Sequence, residues 1–330
     1  MKVIGVNGFG RIGRYFTRMS LESEDIQVAV VNDLADIKTL AHLFKYDSVH
    51  RKLEHTFHLD KNELVFENGN KIRFTQYQDP EAIPWKELGV DYVLESTGKF
   101  RTKEAASKHL VGGAQKVVIS APGKGEDIKS VVLGVNDEII DVNDLIISNA
   151  SCTTNSAAPL VKIIKSMCDI ESAFITTVHS YTSDQKLHDA PHTDLRRARA
   201  AAQSIVPTTT GAAKALTKIF PELNGHLGGC GIRVPVPNGS LTDLTITVRG
   251  KVPSVEDINA RFKAASENEL LGILSYTDEP LVSSDIIGNP HSCIYDSELT
   301  SVVGNLVKLV GWYDNEAGYS NRLIELFNKI

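Results

Sequence analysis

Cysteine is scarce in this chain: Cys152, Cys168, Cys230 and Cys293 are the four among 330 residues, and no two form a CxxC pair. That sparsity excludes a disulfide framework and fits a reducing compartment. An excess of positive charge is also missing. Lys and Arg number 35 against 41 Asp and Glu, a net charge of −6, so a broad nucleic-acid-binding surface has no electrostatic footprint and any anion site has to be local. No apolar run reaches membrane-spanning length, and Asn7-Gly8 arrives before a signal-length stretch can develop, so a cytoplasmic protein is expected. Low-complexity tracts, Gly/Ser linkers and short-period repeats are absent too, which predicts domains packed directly together. His188 and His192 stand at i, i+4 without an HExxH pattern or a cysteine partner, so no metal site is expected.

What is present is an ordinary globular composition, 42% hydrophobic and 23% charged, in a chain long enough for about two domains with their own cores. Val3, Ile4 and Val6 predict a short strand, and Ile12, Tyr15, Phe16 and Met19 then recur at the helical period. A second apolar strand over residues 26–31 ends at Asn32-Asp33, and Asp36 can cap a helix carrying Ile37, Leu40, Ala41 and Phe44. This reads as a βαβ unit. Further apolar runs end in small or polar residues: Tyr92-Val93-Leu94 before Glu95-Ser96-Thr97, Val117-Val118-Ile119 before Ser120, and Leu145-Ile146-Ile147 before Ser148-Asn149. Each alone is an ordinary loop start; together they mark the strand ends where a doubly wound sheet holds its ligand.

After Asn149 the pattern changes. Leu160, Ile163, Ile164 and Met167 form a helical stripe, with Pro159 predicting a kink or irregular turn near its start. Strands are predicted at 173–179, 232–236, 241–248 and 306–312, a helix after Ser254, and an amphipathic helix at the carboxy terminus. Residues 181–204 form a polar segment that includes Arg196-Arg197-Ala198-Arg199.

Gly8-Phe9-Gly10-Arg11-Ile12-Gly13 is a GxGxxG directly after a strand and opening a helix. That context suits backbone N–H groups to a pyrophosphate. Asp33 follows about twenty residues later, where a carboxylate accepts from ribose hydroxyls and repels a 2′-phosphate, so NAD is preferred over NADP. Gly8, Gly10, Arg11, Ile12, Gly13 and Asp33, with Ser96, Thr97 and Ser120 at the neighbouring strand ends, are the candidate cofactor-binding residues. Cys152, just after a strand and before the helical stripe, is placed at or near a helix N-terminus. There the helix dipole and free N–H groups favour a thiolate, and a nearby histidine lowers its pKa further. Cys168, Cys230 and Cys293 read as inert core residues.

Asn7-Gly8-Phe9-Gly10-Arg11-Ile12-Gly13-Arg14, Ser148-Asn149-Ala150-Ser151-Cys152-Thr153-Thr154-Asn155, Pro207-Thr208-Thr209-Thr210-Gly211-Ala212-Ala213-Lys214 and Trp312-Tyr313-Asp314-Asn315-Glu316 closely resemble the glyceraldehyde-3-phosphate dehydrogenase family, in order and nearly end to end. The resemblance implies an α/β protein. A Rossmann doubly wound sheet would span residues 1–150, closed by a carboxy-terminal helix 316–330, and an α+β catalytic domain with an antiparallel sheet would span 151–315. It implies a homotetramer with the 181–204 loop at a subunit interface, NAD as cofactor, and Cys152 as nucleophile with His179 as general base and acid. Asn315 would hold the nicotinamide carboxamide and Tyr319 would pack near the ring. Thr182, Asp184 and Arg233 would bind the substrate phosphate, and Ser151, Thr153, Thr210 and Gly211 the attacking inorganic phosphate.

The implied reaction is oxidation of D-glyceraldehyde 3-phosphate to 1,3-bisphosphoglycerate through a cysteine thioester, a step of glycolysis and gluconeogenesis. Two departures stand out. Ser156 replaces a second cysteine common in relatives, and Ala190 precedes Pro191 where NAD-specific relatives often carry Leu. The alternatives are erythrose-4-phosphate as substrate and a non-enzymatic role in RNA binding or regulation. Against the first stand Asp184 and Thr210-Gly211, which keep the glyceraldehyde-phosphate pattern; against the second stand the joint presence of Cys152, His179 and Arg233 and the acidic charge balance.

Overall fold

A computed structural model describes residues 1–330, which group into two compact units. The first comprises Met1–Val131, Asp137–Ala150 and Ser320–Ile330. Its centre is a nine-stranded sheet in the order Lys129–Ser130, Ile146–Ser148, Lys116–Ile119, Tyr92–Glu95, Lys2–Asn7, Ile26–Asn32, Lys71–Thr75, Glu63–Phe66, Phe57–Asp60. The strands from Lys129–Ser130 through Lys71–Thr75 run parallel, and the last two add an antiparallel edge. Parallel strands covered on both faces need continuous apolar runs, and Ile4, Val6, Val28, Val30, Val93, Val117 and Ile119 supply them, each at most 3% exposed. The chain reverses direction across the sheet at Lys2–Asn7, whose next strand lies on one side and Tyr92–Glu95 on the other. Ligands of doubly wound sheets sit at such a switch point, beyond the carboxyl ends.

Local signals set the helices. Asp36 accepts from the Thr39 N–H at 3.0 Å and opens Ile37–Lys45, and Thr102 accepts from Ala105 at 3.2 Å and opens Lys103–Val111. At the other end of the chain, Phe327 packs on Phe16 and Tyr92, and Lys2 donates to the Phe327 carbonyl. A buried polar chain ties the strand ends together. Asn32 donates to Asn7 at 2.9 Å, Asn7 to Glu95 at 2.7 Å, and Trp85 to Nδ1 of His109 at 3.1 Å. With Nδ1 accepting, the His109 proton sits on Nε2 and is donated to Glu95 at 3.0 Å.

The second unit comprises Val132–Asn136 and Ser151–Tyr319. Its eight-stranded sheet has the order Val206–Thr208, Leu227–Val234, Asp169–Ser180, Ser240–Arg249, Leu306–Tyr313, Cys293–Asp296, Leu274–Thr277, with Ser301–Val303 beside Leu306–Tyr313. Antiparallel pairing dominates, but Leu227–Val234 runs parallel to Asp169–Ser180 and Leu274–Thr277 parallel to Cys293–Asp296. Alternation is clear in Ser240–Arg249, where every second residue is buried. The helix Cys152–Lys165 packs on this sheet.

The kink expected at Pro159 does not end that helix. Ser151 caps it eight residues earlier by accepting from the Thr154 N–H at 3.0 Å, and the helix runs through Pro159, which is fully buried. A proline there sacrifices one helical hydrogen bond, roughly 3 kcal/mol in an isolated helix, which burial of eleven of its residues outweighs. Met167, counted with the stripe, lies beyond its end.

Candidate active site

In the first unit the candidate cofactor residues gather at the carboxyl edge of the parallel sheet. Gly8 has φ 97°, and its N–H donates to the Asn32 carbonyl at 2.8 Å. A Cβ at Gly13 would stand 2.2 Å from the Gly8 carbonyl oxygen, so only glycine lets this helix approach the turn. Gly10 differs: a Cβ there would meet nothing within 4 Å, and as helix N-cap it offers no side chain to the first N–H groups. No side chain of the cap competes with an anion for those donors. Ser96 donates from its hydroxyl to Gly8 at 2.6 Å, Thr97 donates from its N–H to Glu95 at 2.9 Å, and Ser120 donates from its N–H to the Glu95 carbonyl at 3.0 Å.

Asp33 has a second task beside the one expected. Its carboxylate accepts from the Phe9 N–H at 2.7 Å and the Ala35 N–H at 2.9 Å, anchoring the glycine turn while keeping one lone pair on each oxygen. Arg11 pairs with Asp47 at 2.5 Å and Ile12 lies in the first helical turn.

In the second unit Cys152 is the first residue of its helix, immediately after the Ser151 cap. Ala150 precedes them with φ 54°, a left-handed conformation costing a non-glycine residue roughly 1–2 kcal/mol. His179 lies near the end of Asp169–Ser180, and its Nε2 is 3.4 Å from the Cys152 Sγ. Strand register sets Arg233 directly beside His179. Arg233 donates to the Ser180 carbonyl at 3.0 Å, and His179 Nδ1 lies 2.7 Å from the same oxygen. Nη1 of Arg233 is also 2.5 Å from Nδ1, and both cannot serve as donors along that line. With Nδ1–H and Arg233 both donating to Ser180, the Nε2 lone pair faces the thiol.

Burial pushes the Cys152 thiol up, while the Arg233 guanidinium and the Thr153 N–H pull it back. Burial, then Arg233, pushes the His179 imidazolium down to about 3. Neither charge is stable here alone. Transfer of the proton from Sγ to Nε2 would create both at once, each facing the opposite charge. The expected help of histidine to the thiolate is thus conditional on that transfer, and Arg233 is the permanent cation. Cys293, buried without a facing cation, is pushed up to about 12. Cys168 is pushed up by burial and by Asp169.

Of the anion-site candidates, Asp184 is occupied by Arg197 at 2.5 Å. Burial pushes its carboxyl up, but Arg197 holds it below the usual carboxylate range. Arg197 also donates to the Thr208 hydroxyl at 2.9 Å and the Thr209 carbonyl at 3.2 Å. Thr210 accepts from the Ala212 N–H at 3.2 Å, and Gly211 is the N-cap of Ala212–Ile219. Thr182 lies on the same 181–204 segment as Asp184, its carbonyl accepting from Gln185. Thr153 is held by the Tyr313 hydroxyl at 3.0 Å, and Tyr313 by Thr177 at 2.8 Å. Asn315, buried, accepts from Ser180 and Ser240, and Tyr319 is buried in the first turn of Ala317–Lys329.

Arg197, Tyr313, Ser180 and Ser240 were not singled out by their sequence context. The basic run at 196–199 was the visible trace of Arg197, and nothing local marked its partner. Ser156 bonds to Thr242 at 3.0 Å and fastens the helix to the sheet.

Comparison with known proteins places these features. Residues 2–103 match the family model described as glyceraldehyde 3-phosphate dehydrogenase, NAD binding domain, and residues 151–315 the one described as its C-terminal domain. A glyceraldehyde-3-phosphate dehydrogenase from Mycobacterium avium is 54% identical, covering 98% of this chain and 96% of its own. One from Geobacillus stearothermophilus is 53% identical with the same coverages, and glyceraldehyde-3-phosphate dehydrogenase 2 from Streptomyces avermitilis is 52% identical. Sharing more than half its residues with such proteins along nearly its whole length, this chain belongs to the glyceraldehyde-3-phosphate dehydrogenase family.

Proposed function

We propose that this chain oxidises D-glyceraldehyde 3-phosphate with NAD+ and inorganic phosphate to 1,3-bisphosphoglycerate and NADH, through a thioester on Cys152. The observation that carries the reading is the Cys152–His179 contact of 3.4 Å with Arg233 in register beside it. The first unit fits a dinucleotide: Gly10 leaves open space at an uncapped helix start, and Asp33 keeps lone pairs for ribose hydroxyls and charge against a 2′-phosphate. The matches at 2–103 and 151–315 support a division into nucleotide binding by residues 1–150 with 316–330 and thiol chemistry by 151–315.

His179 Nε2 takes the thiol proton, and the Cys152 thiolate adds to the aldehyde carbon. The imidazolium and the Cys152 N–H stabilise the oxyanion, a contribution of about 3 to 4 kcal/mol per donor. Protonation of that oxygen by His179 gives a hemithioacetal, whose hydroxyl proton His179 then takes back as the carbon is oxidised to a thioester. Bound NAD+ supplies the hydride acceptor, and Asn315 is the contact assigned to its carboxamide. Phosphate attacks the thioester, and His179 protonates the departing Cys152 sulfur. Arg233 and Thr182 are assigned to the substrate phosphate, and Ser151, Thr153, Thr210 and Gly211 to the attacking one. Asp184 serves by holding Arg197, since a carboxylate facing an anion directly is repulsive.

A homotetramer is supported by Leu187 and Leu195, 75% and 82% exposed on the 181–204 segment, and sedimentation velocity tests it. No helix is long and apolar enough to cross a membrane, and all four cysteines are unpaired, which supports a cytoplasmic location.

An NADH progress curve tests the chemistry. Without phosphate, turnover stalls after a burst approaching one NADH per site, and arsenate restores it. Steady NADH production without phosphate, yielding 3-phosphoglycerate, contradicts the phosphorylating assignment.

A further inference from the structure

Asn315 follows the strand Leu306–Tyr313 by two residues, at the place where the ends of Asp169–Ser180 and Ser240–Arg249 converge. Its amide oxygen accepts two hydroxyls, Ser180 Oγ and Ser240 Oγ, each at 2.9 Å. The Ser240 hydroxyl oxygen already accepts the Ser180 N–H at 3.1 Å, so its own proton is free to be given to Asn315. Both serines are buried, at 0% and 1% exposure, away from bulk solvent. Reversing the amide would set its NH2 against these two hydroxyls and leave their protons without this acceptor, a cost for buried donors. Meanwhile Nδ2 donates to no group of the chain.

We infer that Ser180 and Ser240 are positioning residues that lock the Asn315 amide with its oxygen inward and its NH2 toward the cofactor. The inference rests on the reading of Asn315 as the carboxamide contact. Locked this way, Asn315 is a donor only, and what it recognises on the pyridine ring is the carbonyl oxygen of the carboxamide, not its NH2. The Ser180 carbonyl that receives His179 and Arg233 belongs to the same residue, so one serine orients the imidazole through its backbone and the amide through its side chain.

The test is binding of NAD+ and of 3-acetylpyridine adenine dinucleotide, which keeps the carbonyl oxygen and replaces the NH2 by methyl. Dissociation constants are measured by titration calorimetry on the full-length protein. The unmodified protein is expected to bind both within about threefold, since the bond it makes survives in the analogue. Ser180→Ala with Ser240→Ala frees the amide to turn and accept from the carboxamide NH2. Discrimination against the analogue then grows about fivefold, the ratio for one neutral hydrogen bond.

Asn315→Asp keeps an acceptor for both serines and presents only acceptors outward, so it too favours NAD+ over the analogue, with the serine pair intact. General loosening of the site would weaken both ligands equally and leave the ratio unmoved; such a result overturns the proposal. So would tenfold discrimination by the unmodified protein. Unchanged affinities for both ligands in Asn315→Ala would instead remove the carboxamide from Asn315, and the proposal with it.

Discussion

At the scale of single residues, burial raises the Cys152 thiol and the charge of Arg233 opposes it. Arg233 is the permanent cation, and in the proposed mechanism His179 becomes a second one on proton transfer, against its burial. Removing either leaves the burial penalty on the thiolate less opposed, so the thiol pKa rises and alkylation at a given pH slows. His179→Asn and Arg233→Ala are each expected to move the pH midpoint of iodoacetamide labelling at Cys152 upward by about one unit, the amount one partly screened charge typically supplies. A midpoint unchanged in both variants would show that the helix N-terminus alone activates the thiol.

Cys152 stands at the strand-to-helix junction where its sequence context puts it, whereas His179 carries no local mark and is reached only through the family resemblance. Arg197 was not legible in the sequence, because its position depends on pairing with Asp184 and with Thr208, thirteen and eleven residues away on an irregular path. The partner of Asp184 is invisible for the same reason until the 181–204 segment is folded.

At the scale of elements, short-range chemistry was the readable part. Asp36 and Ser254 cap their helices as their sequence context predicts, and the apolar runs at 26–31, 92–94 and 117–119 are strands. Less was visible in Phe57–Asp60, Glu63–Phe66 and Lys71–Thr75, an edge of mixed exposure whose partners decide it. Lys103–Val111 has almost no apolar stripe, and its helix rests on the Thr102 cap and on contact with the sheet. The helix continues through Pro159 for a tertiary reason, its burial against the sheet.

The first helix comes close to the glycine turn at Gly13, where a methyl group would meet the Gly8 carbonyl oxygen at 2.2 Å. Gly13→Ala is expected to lower unfolding stability by about 1–3 kcal/mol, since neither backbone can yield cheaply, and to weaken NAD+ as the turn is displaced. Urea unfolding and calorimetric titration check the two halves. Normal stability with normal NAD+ affinity would show that the helix can slide away from the turn.

At the scale of the whole molecule, acid sensitivity has a readable contributor in Asp47. Burial pushes its carboxyl up, but the His50 and Val49 N–H groups and Arg11 override this and hold it at about 2. The unfolded value is about 3.9, so the folded state gains stability from the ionised form. That gain is complete above about pH 4 and is lost as the pH falls toward 2. The stability difference between the unmodified protein and Asp47→Asn is therefore expected to be roughly 1–2 kcal/mol at pH 7, and to narrow on acidification below pH 4. Urea midpoints across that range measure it, and a difference constant with pH would exclude this carboxylate.

The reactive centre is assembled from distant parts of the chain. Thr153 is tied to Tyr313 across 160 positions, His179 meets Cys152 across 27, and Arg233 meets His179 across 54. A ribosome that has released only the first two hundred residues has therefore exposed Cys152 and His179 but neither Arg233 nor Tyr313. Until the sheet closes, Cys152 has neither the burial that raises its thiol nor the Arg233 charge that opposes that rise. Synthesis of this protein thus completes the surroundings of Cys152 well after the thiol itself has been made.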